Sequence, residues 1–371
     1  MSLKELFKDK IIRLALLPKT NDYLLTEEGK RQRQLMGMEK VEELHKKIDE
    51  NLSKYLNLNA LDKLDAYVPT LIKHDYTGKT PSMWNALYGK LGLNLRSMMV
   101  VANPKDLQLI LDTFRKDPKY IGGGAGVGLK EEVIPFLDAI EPPDIKSVNI
   151  IVKQDGRLVG YNTDAKGLLK SLEEKLNLVG KKVKGQKFVV VGARAVAQQF
   201  TRVLAENGAE YIVIANRTLE IAENLANELN KKYGKISEAV GENHVKEAVV
   251  AHKPAAIINT SDKGSSRYPN LSMFFGEDPN NENISREIIR AIHKQCPDLI
   301  YGDIVVVEKS ISLRLLEEEG VDPKFIFDDK PMVIYQAVPA YKLVEQAHKE
   351  VHRKIVSDDE ALEVFREAVS K

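Results

Sequence analysis

The sequence predicts an α/β protein made of two alternating domains and an N-terminal helical extension, and three observations carry that reading. Between Asp65 and Pro143 short apolar runs alternate with amphipathic stretches, the pattern of a mostly parallel α/β domain. A second alternation opens at Phe188-Val189-Val190-Val191-Gly192, a buried-strand run that ends on a glycine. At about 150 residues per domain, 371 residues leave room for both alternations and a further segment.

The elements follow in chain order. Leu35, Met38, Val41, Leu44, Ile48, Leu52 and Tyr55 recur at steps of three and four, which predicts one long amphipathic helix from Thr26, its N-cap, to about Leu58. Its apolar stripe docks either on its own domain or on a second copy of the chain, as in a homodimer. Strands are expected at Ala66–Ile72 and Ser97–Ala102, and helices at Ser82–Leu91 and Pro104–Phe114. Five glycines then fall between Ile121 and Lys130, and Lys130 heads a helix carrying Val133, Phe136 and Leu137. Asp155-Gly156 between Val148–Val152 and Leu158–Tyr161 predicts a hairpin, because that dipeptide readily takes positive φ values.

In the second domain Ala197, Phe200, Val203 and Leu204 have helical spacing, and Tyr211–Ala215 is the next strand. This βαβ unit is the opening of a dinucleotide-type, Rossmann fold. Further strands are expected at Ala255–Asn259, Leu299–Val307 and Lys324–Phe327. The polar stretch Gly264–Arg286 reads as an irregular insertion, and Val333–Lys371 as helical.

Composition excludes several classes. With 55 Lys plus Arg against 54 Asp plus Glu, the net charge of +1 gives no broad basic surface for nucleic acid. A 43% hydrophobic content is too high for a disordered chain. The single cysteine, Cys296, excludes an internal disulfide and, with no base beside it in sequence, reads as a buried apolar residue. No apolar run approaches the roughly 20 residues of a membrane helix, and no cleavage pattern follows the Lys-rich start, so a cytoplasmic protein is expected.

The candidate chemistry lies in a few motifs. In a βαβ unit the glycine after the first strand makes the tight turn, and the next helix presents N–H groups to a pyrophosphate. Here the turn reads Gly192-Ala193-Arg194-Ala195, with Arg194 where a glycine would let the backbone approach the phosphates. At the end of the second strand stands Asn216-Arg217-Thr218 and no acid, which suits a 2′-phosphate and points to NADP. The alternative is that Asn216 caps the following helix. His348 and His352 lie one turn apart, but Lys349 stands where a zinc helix has Glu, so they read as an exposed helix face and no metal is expected.

Several of these motifs together resemble the shikimate dehydrogenase family, over Thr77 to Val344. The matching segments are Thr77-Gly78-Lys79-Thr80-Pro81-Ser82, Lys130-Glu131-Glu132-Val133-Ile134-Pro135, Val148-Asn149, Gly160-Tyr161-Asn162-Thr163-Asp164-Ala165-Lys166-Gly167, Ile258-Asn259-Thr260-Ser261, Ile300-Tyr301 and Met332-Val333-Ile334-Tyr335-Gln336-Ala337. The resemblance implies Lys130 and Asp164 as the proton-transfer pair, with Thr80, Asn149, Tyr301 and Gln336 around the substrate. It places the NADP cofactor on Gly192, Ala193, Arg194, Ala195, Asn216, Arg217, Thr218, Asn259 and Thr260. It implies a shikimate-dehydrogenase-like substrate domain over 61–167, with 330–371 folding back on it. A Rossmann-type nucleotide domain follows over 168–329, 1–60 is an extension, and ligands sit in a cleft between the domains.

Departures from the family pattern shape the expected function. Gly78 replaces the first serine of the carboxylate-binding pair, Gly124-Ala125-Gly126-Val127-Gly128 replaces a segment with a substrate-facing threonine, and Asp329 falls where a glycine lies beside the nicotinamide. The expectation is an NADP-dependent dehydrogenase of a cyclic hydroxy or keto acid other than shikimate. The rival is a non-redox descendant that holds another nucleotide-bearing ligand, such as S-adenosylmethionine, or binds without catalysing. The five glycines either open room for a larger substrate, bring backbone N–H groups to an anion, or form a flexible loop.

Overall fold

The computed structural model describes residues 1–35, 40–274 and 281–370. The chain divides into a first unit, Met1–Thr163 with Ala337–Lys371, and a second, Asp164–Gln336.

In the first unit, α1 (Leu3–Lys8) leads into β1 (Ile12–Leu14). Three short helices follow, α2 (Glu27–Leu35), α3 (Val41–Glu50) and α4 (Leu52–Tyr55), then α5 (Asn59–Asp62). The Thr26 hydroxyl accepts from the Gly29 amide at 3.1 Å, the expected N-cap. The single long helix is not formed: Asn51, at φ −147° and ψ 75°, breaks it between α3 and α4, and Leu35 is 70% exposed. Met38 lies outside the described residues. Leu44, Ile48 and Tyr55 are buried in one core with Leu107, Ile110 and Phe114, so the stripe docks on its own unit.

The parallel pair β2 (Ala66–Ile72) and β3 (Leu95–Ala102) is joined by α6 (Thr80–Lys90) and followed by α7 (Leu107–Lys116). All seven residues of β2 are buried, as in a strand covered on both faces, and β1 adds antiparallel to the other edge of β3. The free edge of β2 is taken by the glycine run. Gly122–Gly124 forms β4, with bridges Tyr67–Tyr120 and Leu71–Ala125 to β2 and an antiparallel pairing to β6 (Ile150–Gln154). The run is therefore no flexible loop. A Cβ on Gly123 would collide with the Pro69 carbonyl oxygen, and one on Gly122 would lie 2.8 Å from the Ile151 oxygen. Glycine is what lets three backbones pack edge to edge.

The hairpin forms as predicted: β6 turns into β7 (Arg157–Tyr161) through Asp155 and Gly156, at φ 50° and 77°. A short β5 (Ala139–Glu141) completes the order β4-β6-β7-β5. The helix expected from Lys130 is absent. Only turns and a single 3₁₀ turn, Ile134–Phe136, occur there, because Pro135 lacks the amide that a longer helix needs.

The second unit begins with α8 (Asp164–Leu178), then alternates β8 (Lys187–Val191), α9 (Ala195–Glu206), β9 (Tyr211–Asn216), α10 (Leu219–Tyr233), β10 (Ser237–Gly241), α11 (Val245–His252) and β11 (Ala256–Asn259). It continues with α12 (Glu282–Gln295), β12 (Ile300–Asp303), α13 (Ile311–Glu318) and β13 (Ile326–Phe327). The irregular stretch expected to Arg286 thus ends at Asn281, whose side chain caps α12. All strand pairs are parallel and the order is β10-β9-β8-β11-β12-β13, the doubly wound arrangement of a dinucleotide-binding fold. Cys296 is buried there, as expected, and burial pushes its thiol pKa up.

The helix α14 (Asp329–Ala347) starts in the second unit and ends in the first, where α15 (Lys349–His352) and α16 (Asp358–Ser370) also belong. Tyr341 meets Trp84 at 5.4 Å between ring centroids and Phe365 at 6.1 Å, so the C-terminal helices share the core of α6. His352 is fully buried against Tyr88 and Tyr341, and the His348 ring nitrogen lies 2.6 Å from the Lys153 carbonyl. The exposed histidine face is therefore replaced by a packed one.

Candidate functional site

In the first unit the segments that carry Lys130 and Asn149 meet where β2 and β4 end and β6 begins. The Val148 amide donates to the Lys130 carbonyl at 2.8 Å, and the Ala125 amide to the Asn149 carbonyl at 3.1 Å. These bonds hold the segment of the lysine against the segment of the asparagine. The Asn149 side chain donates to the Thr163 hydroxyl at 2.9 Å and accepts from the Thr163 amide at 3.0 Å. Thr163 directly precedes Asp164, so Asn149 fixes the backbone that carries the aspartate. Thr80 starts α6, two residues beyond Gly78. A Cβ on Gly78 would collide with the Met99 thioether, and one on Gly126 would lie 3.0 Å from the Tyr76 hydroxyl, so the two glycine positions share neighbours at this end of the sheet.

The second unit presents its polar residues at the carboxyl ends of the strands, where ligands bind in open α/β sheets. Gly192 takes φ +108°, and a Cβ there would lie 2.9 Å from the Thr260 hydroxyl and 3.1 Å from the Ser261 amide. The turn after β8 is thus a cradle that only glycine fits. Ala193 is buried behind it. Arg194, exposed and extended at φ −91° and ψ −168°, is the N-cap of α9 and makes no side-chain capping bond there, and Ala195 opens the helix. Arg217 is exposed at the end of β9. The Asn216 amide donates to the Thr218 carbonyl at 2.8 Å and does not cap α10, whose N-cap is Thr218. The residues present therefore fit a phosphate-bearing dinucleotide.

After β11, Asn259 is fully buried and organises its turn: it donates to the Lys263 carbonyl and the Asp303 carboxylate and accepts from Ser261. The Thr260 hydroxyl donates to the Val191 carbonyl at 2.9 Å, tying that turn to β8. Near the start of α8, Gly167 lets α14 close in. A Cβ there would lie 2.7 Å from both the Gln336 amide and the Met332 oxygen, so Gln336 packs one turn after Asp164.

Tyr301 is not brought to these residues. It is fully buried mid-strand in β12, its ring 5.9 Å from Phe274 and its hydroxyl without a partner among the described residues, because strands of a doubly wound sheet are covered on both faces. The rim residue of β12 is Asp303, two positions on. Burial pushes its carboxyl pKa up to about 6, against hydrogen bonds from Ser310, Val305 and Asn259. Sequence reasoning missed buried Asp303 and the buried pair formed by Glu242 and Lys263, 2.6 Å apart. An acid that ends the apolar run Leu299-Ile300-Tyr301-Gly302 was the available signal for the first; the other two carry none. No group of three or more metal-ligating side chains occurs among the described residues, and no described helix is long and apolar enough to cross a membrane.

Comparison with known proteins points one way. A family model described as shikimate / quinate 5-dehydrogenase matches residues 173–262. The shikimate dehydrogenase (NADP(+)) of Halothermothrix orenii is 31% identical over 271 residues, covering 71% of this chain and 85% of that protein. The crystal structure of shikimate dehydrogenase from Aquifex aeolicus superposes with a TM-score of 0.60 at 27% identity, over 83% of this chain and 98% of the other. A quinate dehydrogenase from Corynebacterium glutamicum, in complex with NAD, shares the fold at a TM-score of 0.63 and 21% identity, over 82% of this chain and 99% of the other. These relatives are dehydrogenases and do not favour a non-redox binding protein.

Proposed function

The chain belongs to the shikimate/quinate dehydrogenase family of oxidoreductases, and from that premise we propose that it reduces and oxidises a cyclic hydroxy or keto acid other than shikimate with NADP(H). The observation that carries the proposal is the hydrogen-bonded junction of Lys130, Val148, Asn149 and Thr163, which fixes the backbone segments bearing Lys130 and Asp164. The nicotinamide, when bound, supplies or accepts the hydride. In the reducing direction the Lys130 ammonium donates a proton to the oxygen that becomes the alcohol, and in the oxidising direction its amine takes that proton back. The Asp164 carboxylate stabilises the ammonium form and orients it.

Thr80, Asn149 and Gln336 would hold the substrate by hydrogen bonds. Gly78 offers no hydroxyl, and Met99 occupies the space where a side chain would stand, which supports a ligand that makes fewer polar contacts there. Gly192, Ala193, Arg194 and Ala195 would receive the pyrophosphate. Asn216, Arg217 and Thr218 would receive the 2′-phosphate, and Asn259 and Thr260 would shape the turn beside them.

The test is Lys130→Ala, assayed by nicotinamide absorbance over a panel of cyclic hydroxy acids that includes shikimate and quinate. Turnover on the best substrate should fall by about a hundred- to ten-thousand-fold, with NADPH affinity unchanged. Full turnover in the variant would remove Lys130 from the reaction, and a wild-type chain that does not bind NADPH would remove the cofactor.

A further inference from the structure

The second unit holds a buried ion pair that the proposed reaction does not use. The Lys263 ammonium lies 2.6 Å from the Glu242 carboxylate, with side chains only 7% and 10% exposed. Glu242 directly follows Gly241, which is paired in register with Asn216 on β9, so Glu242 and Arg217 are the first residues beyond two neighbouring strand ends. Lys263 comes from the other side, out of the turn after β11.

In the order β10-β9-β8-β11, three strand spacings of about 4.8 Å separate β11 from β10. The turn and the two side chains therefore bridge the ends of β8 and β9. That is the place where a dinucleotide fold receives the adenosine ribose. The lysine is also fixed at its base, because buried Asn259 donates to the Lys263 carbonyl and the Ser261 hydroxyl accepts from the Lys263 amide.

Burial pushes the ammonium pKa of Lys263 down, Glu242 and then Asp262 oppose this, and the nearby Arg217 guanidinium lowers it further. Two cations thus stand at one rim with two carboxylates, of which Glu242 is nearly buried and bonded to Lys263 while Asp262 is exposed. A buried pair of this kind costs desolvation and is weak evidence for stability alone. An incoming phosphate dianion at this rim would give both cations a charge-assisted partner.

Resting on the NADP reading above, we infer that Lys263 is a specificity-determining residue, which together with Arg217 clamps the 2′-phosphate of the adenosine ribose, and that Glu242 is the positioning residue that holds its ammonium across the ends of β8 and β9.

The experiment measures binding of 2′,5′-ADP and 5′-ADP to the full chain by calorimetry, for the wild type, Lys263→Met, Lys263→Arg and the double variant Glu242→Gln/Lys263→Met. The double variant guards against loss of fold, because it leaves no buried charge unpaired. The wild type should prefer 2′,5′-ADP. Removing Lys263 should cut that preference by about tenfold or more while 5′-ADP affinity changes less than about twofold, and Lys263→Arg should restore most of it. An unchanged preference in the double variant, or equal weakening of both nucleotides, would make the pair a structural pin and overturn the inference alone. A wild type that binds 5′-ADP as tightly as 2′,5′-ADP would overturn the 2′-phosphate reading, and one that binds neither would overturn the dinucleotide reading as well.

Discussion

Asp303, 1% exposed at the end of β12, gives the clearest single-residue consequence. Its pKa of about 6 in the fold lies above the ordinary carboxylate value, so the folded protein holds a proton that the unfolded chain has lost. The stability tied to that proton is fully present below about pH 4 and is lost as pH rises through 6, on the order of 3 kcal/mol. Asp303→Asn should therefore gain melting temperature relative to wild type as pH moves from 5 to 8, measured by calorimetry. A constant difference across that range would show that Asp303 ionises without cost. At this scale the contiguous motifs single out Lys130, Asn149 and Asp164 as candidates, and the Asn149 side chain bonds Thr163, next to Asp164. Glu242 and Lys263 were not legible, since nothing in sequence links the turns after β10 and β11, which meet only across the end of the sheet.

Among the elements, β4 depends most on residue size. Gly123→Ala would force a methyl group onto the Pro69 carbonyl of the neighbouring strand, which cannot move without breaking β2. We expect a loss of about 3 kcal/mol by urea unfolding, whereas Gly89→Ala in α6, with open space around it, should gain roughly 0.5–1 kcal/mol. Equal effects of the two substitutions would contradict the packed-edge account. The strands β2, β3, β8, β9 and β11 and the hairpin of β6 and β7 were legible because period, apolar runs and Asp155-Gly156 are local signals; β1, β5 and β10, short strands that lack a long apolar run, were not expected, and β12 and β13 are shorter than Leu299–Val307 and Lys324–Phe327. The glycine run was ambiguous for the opposite reason: its partners lie about 50 residues before it and 30 after, and close approach leaves no local trace. The long N-terminal helix failed at Asn51, where an apolar stripe continues in sequence although the backbone turns.

For the whole molecule, the N-terminal segment is part of a core and not an appendage. Leu3, Leu6, Phe7, Leu44 and Ile48 are buried with Leu107, Leu111 and Phe114, and β1 completes an edge of the sheet. Deleting residues 1–58 should therefore unfold the first unit, seen as loss of its amide-exchange protection, while the second unit keeps its protection. A truncated chain with both units protected would show that the extension is dispensable. The discontinuous makeup of the first unit has a further consequence, for vectorial synthesis on the ribosome. Trp84 and Tyr88 emerge early, but the rings they pack against, Tyr341 and His352, belong to the last part of the chain. The contiguous second unit is complete before them. At ordinary translation rates the exposed aromatic face of α6 waits on the order of tens of seconds for its partners, so nascent chains of this protein should be a substrate for co-translational chaperones through that face.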